Sequence, residues 1–174
     1  MSTLKVGTIQ SPTGNTGLTI ANDGTVLPKA CAFQMKPTSA KSIPNATETL
    51  IEFQSTIFDT HSIVDLPNNR VVITTATAGI WDLRFVSRIE NGVPFRQISF
   101  IKKNGNNLVY HEASNYSQTT GAYQSVEANC LANLVNGDIL TFHMYHGQGS
   151  AKNTEVGGTN DLDIRAEGFR VGTL

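Results

Sequence analysis

Apolar and polar residues alternate with a period of two through much of the chain, the pattern of strands half buried in a sheet. In residues 79–89, GIWDLRFVSRI, Trp81, Leu83 and Phe85 fall on one side and Asp82 and Arg84 on the other. In residues 138–146, DILTFHMYH, Leu140, Phe142 and Met144 share one face. These six apolar residues are the expected core. The opposite face of residues 138–146 carries Ile139, Thr141, His143 and Tyr145. It is too apolar for full solvation, so it is either a subunit interface or a surface covered by another part of the same chain.

Other stretches follow the same rule. Residues 30–35, 48–55, 61–66, 70–75, 96–103, 106–113, 123–135 and 162–171 read as strands, spaced at roughly ten residues with turn signals between, which predicts an all-β sandwich or barrel. Asn104-Gly105 and Asn136-Gly137 each read as a two-residue hairpin turn joining the strands beside them. No segment sustains a helical period.

Residues 1–28 differ. Short β-prone pieces (residues 6–10, 18–21 and 25–27) sit between Thr13-Gly14, Thr16-Gly17 and Asp23-Gly24. None can bury a face alone. The segment reads as a stalk or attachment piece stabilised by packing with copies or a partner, the alternative being a mobile tail. Residues 30–174 form the second domain.

With 174 residues, 39% hydrophobic, the chain holds enough apolar material for one core. A net charge of −1 offers no basic field to nucleic acid. No apolar run reaches the length of a membrane span, and residues 1–10 lack the apolar region of a signal peptide, so neither membrane insertion nor secretion by a leader is expected. Cys31 and Cys130 have no metal-site spacing and read as reduced thiols.

Catalytic chemistry is not visible. No Gly-x-Ser-x-Gly occurs, and no phosphate loop. His143 and His146 are three apart on one strand and so face opposite ways, which makes a shared metal difficult, the alternative being a His143 cluster on a threefold axis. Asp161 and Asp163 share a face but fall short of the six to eight oxygen ligands of a calcium site. The expectation is no enzyme, no cofactor and no metal. Residues 114–125, SNYSQTTGAYQS, present Asn115, Tyr116, Gln118, Thr119, Thr120 and Tyr123. Amides, hydroxyls and aromatic faces suit sugars, which offer hydroxyl edges and apolar C–H faces. Residues 146–161 form a second polar, glycine-rich loop. These loops are either a glycan or receptor contact or simply soluble connections.

The second half resembles the C1q/TNF-like jelly roll. AGIWDLRF (residues 78–85) is similar to its Gly-x-Tyr segment, with Trp81 in the aromatic place. ISFIKKNGNNLV (98–109) is similar to its strand–Asn-Gly–strand hairpin. CLANLVNGDILTFHMYH (130–146) is similar to its L-x-x-G-D-x-V strand pair, with Leu134, Gly137 and Asp138 aligned. FRVGTL (169–174) is similar to its closing F-x-G-x-L strand, with Gly172 displaced by one place. IFDTHS (57–62) fits its early strands loosely, and the resemblance spans residues 30–174. Residues 3–26 resemble the openings of phage fibre and virion proteins, especially of marine and cyanobacterial phages. The resemblance implies a homotrimer, associated with the virion and without enzyme activity.

If successive strands run antiparallel, the two Asn-Gly turns share one end of the sandwich. The longer connections (89–95, 114–122 and 147–161) share the other. In the family the first strand pairs with the last, which puts the N-terminal segment at the tight-turn end. The same sheet order implies that the strands of Cys31 and Cys130 share a sheet without being neighbours, so no bridge is expected. The reading is an all-β jelly-roll sandwich with a short N-terminal β-rich attachment segment. It would serve as a phage virion structural protein, the trimeric tail-fibre head or receptor-binding protein of host attachment. Residues 1–28 would meet other virion proteins, and a host cell-surface glycan or protein would be the receptor. A capsid decoration or cement protein of the same fold is the alternative, and a lectin-like C1q-type module a more distant one. The expected location is the virion, after synthesis in the host cytoplasm.

Overall fold

A computed structural model of the chain describes residues 8–10, 16–20, 26–28, 30–90, 95–115, 123–156 and 164–172. The chain divides into two units, Met1–Ala30 and Cys31–Leu174. In the first, β1 (Thr8–Gln10), β2 (Thr16–Ile20) and β3 (Val26–Pro28) form an antiparallel sheet in the order β1-β2-β3. Strands this short have few ladder hydrogen bonds each, and pairing pools them.

The second unit is a two-sheet antiparallel sandwich. Its early elements are β4 (Ala32–Lys36), β5 (Ser42–Ile43), β6 (Thr49–Leu50), β7 (Ser55–Asp59), β8 (Val64–Asp65) and β9 (Arg70–Val72). Long strands follow: β10 (Gly79–Glu90), β11 (Phe95–Lys103), β12 (Asn106–Asn115), β13 (Tyr123–Leu134) and β14 (Ile139–His146). β15 (Lys152–Asn153) and β16 (Arg165–Gly172) complete it. One sheet has the order β13-β10-β16-β4-β7 and the other β12-β11-β14-β9-β8, with β6 also on β14. β5 and β15 pair as a separate ribbon.

Alternation puts the inward residues of both sheets into one core. Trp81, Leu83, Phe85, Leu140, Phe142 and Met144 are all fully buried. The Phe142 ring lies 5.5 Å from Phe85, 5.9 Å from Phe53 and 6.4 Å from Phe33, and Phe33 lies 6.0 Å from Trp81. Each such side chain contributes about 1.5–3 kcal/mol by leaving water. The Trp81 indole N–H donates to Thr77 O at 3.0 Å, which satisfies the one polar atom of a buried ring. Gly168 sits where β16 crosses this core: a Cβ there would lie 2.7 Å from Phe33 Cε1 and 2.8 Å from Leu83 Cδ2.

One of the two expected hairpins is present. Asn104 (φ 52°) and Gly105 (φ 80°) both take positive φ and join β11 to β12, as a two-residue hairpin turn requires. Asn136-Gly137 is not a hairpin. It carries the chain from β13 in one sheet to β14 in the other. Only Gly137 has positive φ there, and Asp138 N–H donates to Val135 O at 3.1 Å. The Asp138 carboxylate fixes this corner by accepting from Val135 N–H at 2.9 Å and from the Asn104 amide at 2.8 Å.

Several expected strands are shorter than their patterns, the run 70–75 among them, which is a strand only over Arg70–Val72. Residues 51–54 keep Ile51 and Phe53 buried, but the backbone there passes between sheets. Ile51 N–H reaches Phe142 O, whereas Gln54 N–H reaches Lys36 O. Residues 61–66 do not form one strand. The Asp59 carboxylate accepts from the N–H groups of His61, Ile63 and Val64, winding a turn, and a 3-10 turn at Leu66–Asn68 follows β8.

The sandwich is polar along its length. The Asn104-Gly105 and Asn136-Gly137 turns meet at one end, where Asn104 and Ile139 exchange hydrogen bonds. The chain enters the unit at this base end, where Cys31 O accepts from Arg170 N–H. At the opposite, crown end lie the last residue of β10, the first of β11, the last of β12 and β14, and the first of β13. Glu90 opposes Tyr123 there, Phe95 opposes Asn115, and Gln97 opposes His146. Cys31 lies just before β4 and Cys130 on β13, with β16 and β10 between those strands, so the two are not bridged to each other.

Candidate functional site

Three surfaces of the sandwich come into question: the outward face of each sheet, and the crown.

The outward face of the six-stranded sheet carries Ile139, Thr141, His143 and Tyr145 on β14, each partly buried. Across it on β11 stand Ile98 and Phe100, opposite Tyr145 and His143. Both point away from the core yet are below 10% exposed. Long cations lie over this face: Arg96 stacks 5.3 Å from the Tyr145 ring and Lys102 5.9 Å from the Phe100 ring. Glu48, beside β6, ion-pairs with Lys102 at 2.6 Å and meets His143 Nδ1 at 3.1 Å. Burial holds the His143 pKa below its ordinary value, against the pull of Glu48. Side chains of the same protomer thus cover much of the apolar surface on β14.

The outward face of the five-stranded sheet is different. Its middle is a polar ladder. Arg84 on β10 bridges Glu127 on β13 and Glu167 on β16, and Gln34 on β4 donates to Glu167. The Arg84 hydrogen bond draws the Glu127 carboxyl below its usual value, and Glu127 in turn raises the guanidinium pKa. Toward the base the ladder gives way to exposed apolar residues. Leu131 is 70% exposed, Val171 54%, Phe169 50% and Ile80 39%. Leu131 and Phe169 both oppose Asp82, one from each side, and Ile80 is the next outward residue on β10. The strands lie about 4.8 Å apart, so Leu131 and Phe169 are roughly 10 Å from each other. Asp82 lies between Leu131 and Phe169, so this end of the sheet carries several exposed apolar residues around one carboxylate.

At the crown, Tyr123 is exposed and begins β13, and the Arg88 guanidinium covers its ring at 5.5 Å. Asn115 ends β12. Tyr116, Gln118, Thr119 and Thr120 lie outside the described residues, as do Asp161 and Asp163. Part of the second polar loop is anchored: β15 pairs with β5, Thr154 bridges to Ile89, and Arg88 ion-pairs with Glu155. His143 faces outward and His146 inward, on opposite sides of β14. Among the described residues no group of three or more His, Cys, Asp or Glu side chains could hold a metal ion.

Sequence reasoning singles out the outward face of β14; the structure adds the exposed apolar residues near the base. The signal was present: Leu131 stands in the polar phase of β13, between Asn129 and Asn133, and Phe169 in that of β16. What the alternation alone does not reveal is that both oppose the same residue on β10.

No protein-family model matches the sequence, and no curated protein matches it significantly. Solved structures do match. Murine APRIL, in a crystal structure at pH 5.0, is 17% identical, with 82% of this chain and 100% of that chain covered and a TM-score of 0.61. The globular domain of zebrafish complement 1qA protein is 13% identical, covering 83% and 99%, at a TM-score of 0.56. Eiger TNF from S. frugiperda is 9% identical, covering 84% and 95%, at a TM-score of 0.63. The chain therefore carries the jelly-roll sandwich fold of C1q- and TNF-like domains.

Proposed function

We propose that the protein is a trimeric adhesion head of a phage virion, attached through residues 1–28 and presenting its crown to a host cell surface. One observation carries this reading: the chain enters the sandwich at the base, while the connections between β10 and β11, β12 and β13, and β14 and β16 all leave from the crown. This supports a display role for the crown. The resemblance of residues 3–26 to phage fibre openings supports the virion setting. Three copies would meet through the base patch of the five-stranded sheet, around Ile80, Leu131, Phe169 and Val171. That patch is apolar and uncovered, whereas the apolar part of the β14 face is covered from within the protomer. Connection residues 114–123 of the three copies would supply amide, hydroxyl and aromatic groups to a glycan or protein receptor. Weak single contacts would add up by multivalency.

Immunogold electron microscopy of purified virions, with an antibody against residues 31–174, tests the reading. Gold at fibre ends is expected. Gold spread over the capsid would replace adhesion with a decoration role, and absence of label on particles containing the protein would overturn both.

A further inference from the structure

The interior beneath the crown is polar. Ser87 on β10, Gln97 and Ser99 on β11 and His146 on β14 are all fully buried. Their hydrogen bonds run in one direction. Ser99 Oγ donates to Val126 O at 2.8 Å, so the 2.6 Å contact between Ser87 Oγ and Ser99 Oγ has Ser87 as donor. The Gln97 amide nitrogen donates to Ser87 Oγ at 2.6 Å and to Ser87 O at 3.3 Å, using both its hydrogens. Turning the amide over would set its oxygen against the Ser87 carbonyl. His146 Nε2 lies 2.8 Å from Ile43 O, which only accepts, so this nitrogen carries the proton. In a neutral imidazole Nδ1 is then a bare acceptor.

Every donor of the set is used, and two acceptors remain. Gln97 Oε1 and His146 Nδ1 are both buried with no hydrogen-bond partner among the described residues. They belong to residues directly opposite each other on β11 and β14, both pointing inward. Two buried acceptors on directly opposed residues are satisfied by a small neutral group with two hydrogens to give. The geometry points to a built binding site for one water molecule, bridging Gln97 Oε1 and His146 Nδ1.

The β5–β15 ribbon closes the site from the crown. Ala46 N–H donates to His146 O, Gly149 N–H to the Asn45 side chain, and Lys41 and Thr154 exchange hydrogen bonds. A water held there exchanges slowly with solvent. It also completes a hydrogen-bonded link from Ser87 in one sheet to His146 in the other, under the connections that leave the crown.

A high-resolution crystal structure of the full chain, paired with water-to-protein nuclear Overhauser spectroscopy, tests the site. The expected result is a solvent peak within hydrogen-bond reach of both acceptors, with slow-exchange water signals at the His146 ring and Gln97 amide protons. His146→Phe should lose those signals, and the wild-type measurement decides if that variant does not fold. A protein donor touching either acceptor, a peak bound to only one of them, or no long-lived water signal would overturn the proposal.

Discussion

Replacing Leu131 with lysine is expected to dissociate the assembly while leaving the protomer folded. Burying a whole leucine side chain contributes about 1.5–3 kcal/mol. In the protomer Leu131 is still 70% exposed, so assembly gains about 1–2 kcal/mol from each copy. Threefold repetition makes that about 3–6 kcal/mol per trimer, equivalent to roughly 10²–10⁴ in the dissociation constant. A lysine would forfeit this and place an ammonium in a desolvated seam, at a further cost of several kcal/mol. Within the protomer the change is mild. Residue 131 lies on the edge strand β13 directly opposite Asp82, and a cross-strand pair of opposite charges contributes about 0.2–1 kcal/mol. Light scattering after size-exclusion chromatography, over a dilution series, gives the mass, and urea unfolding gives the stability. The wild type should run at three protomer masses, and L131K should fall toward one while still unfolding cooperatively in urea, at a midpoint that no longer depends on protein concentration. A variant that keeps the wild-type mass at every dilution would refute the reasoning.

Other outcomes follow from the same packing. Gly168→Ala should lower stability in urea by about 1–3 kcal/mol, because the added methyl meets Phe33 and Leu83 in a filled core. Trp81→Phe should cost about 1–3 kcal/mol, as it opens a cavity and strands the Thr77 carbonyl that the indole now satisfies. Burial alone would raise the Asp138 carboxyl, but Val135 N–H, the Asn104 amide and Lys103 together hold it below its ordinary value of 3.8. A depressed carboxyl contributes stability above its unfolded pKa and loses it as pH falls through the folded one. Thermal melts should therefore show a wild-type loss of stability beginning near pH 4, roughly the unfolded pKa, and a shallower loss in Asp138→Asn.

The long strands were legible because their alternation is clean. Trp81, Leu83 and Phe85, or Leu140, Phe142 and Met144, leave one face and one register open to a strand. Asn104-Gly105 was legible for the same reason, since strands on both sides share a sheet. Asn136-Gly137 carries the same dipeptide but joins different sheets, and the residue that decides this is Asp138, whose carboxylate ties the corner to Val135 and Asn104. Ile51 and Phe53 alternate like strand residues while their backbone passes between sheets, a crossing that side-chain pattern does not record. The cover that Arg96, Lys102 and Glu48 lay over part of the β14 face is not visible in the sequence, because these residues come from other segments and their placement depends on pairing. The base patch needed the register of three strands before Leu131 and Phe169 became neighbours of one Asp82.

Oxidative footprinting of the native assembly, read at single side chains by mass spectrometry, tests the central claim most directly. The account predicts that Leu131 and Phe169, both well exposed in the protomer, are protected from labelling. Tyr110 on the outward face of the six-stranded sheet and Tyr123 at the crown should stay reactive. Full labelling of Leu131 and Phe169 together with protection of Tyr110 would place the subunit contact on the other sheet and contradict it.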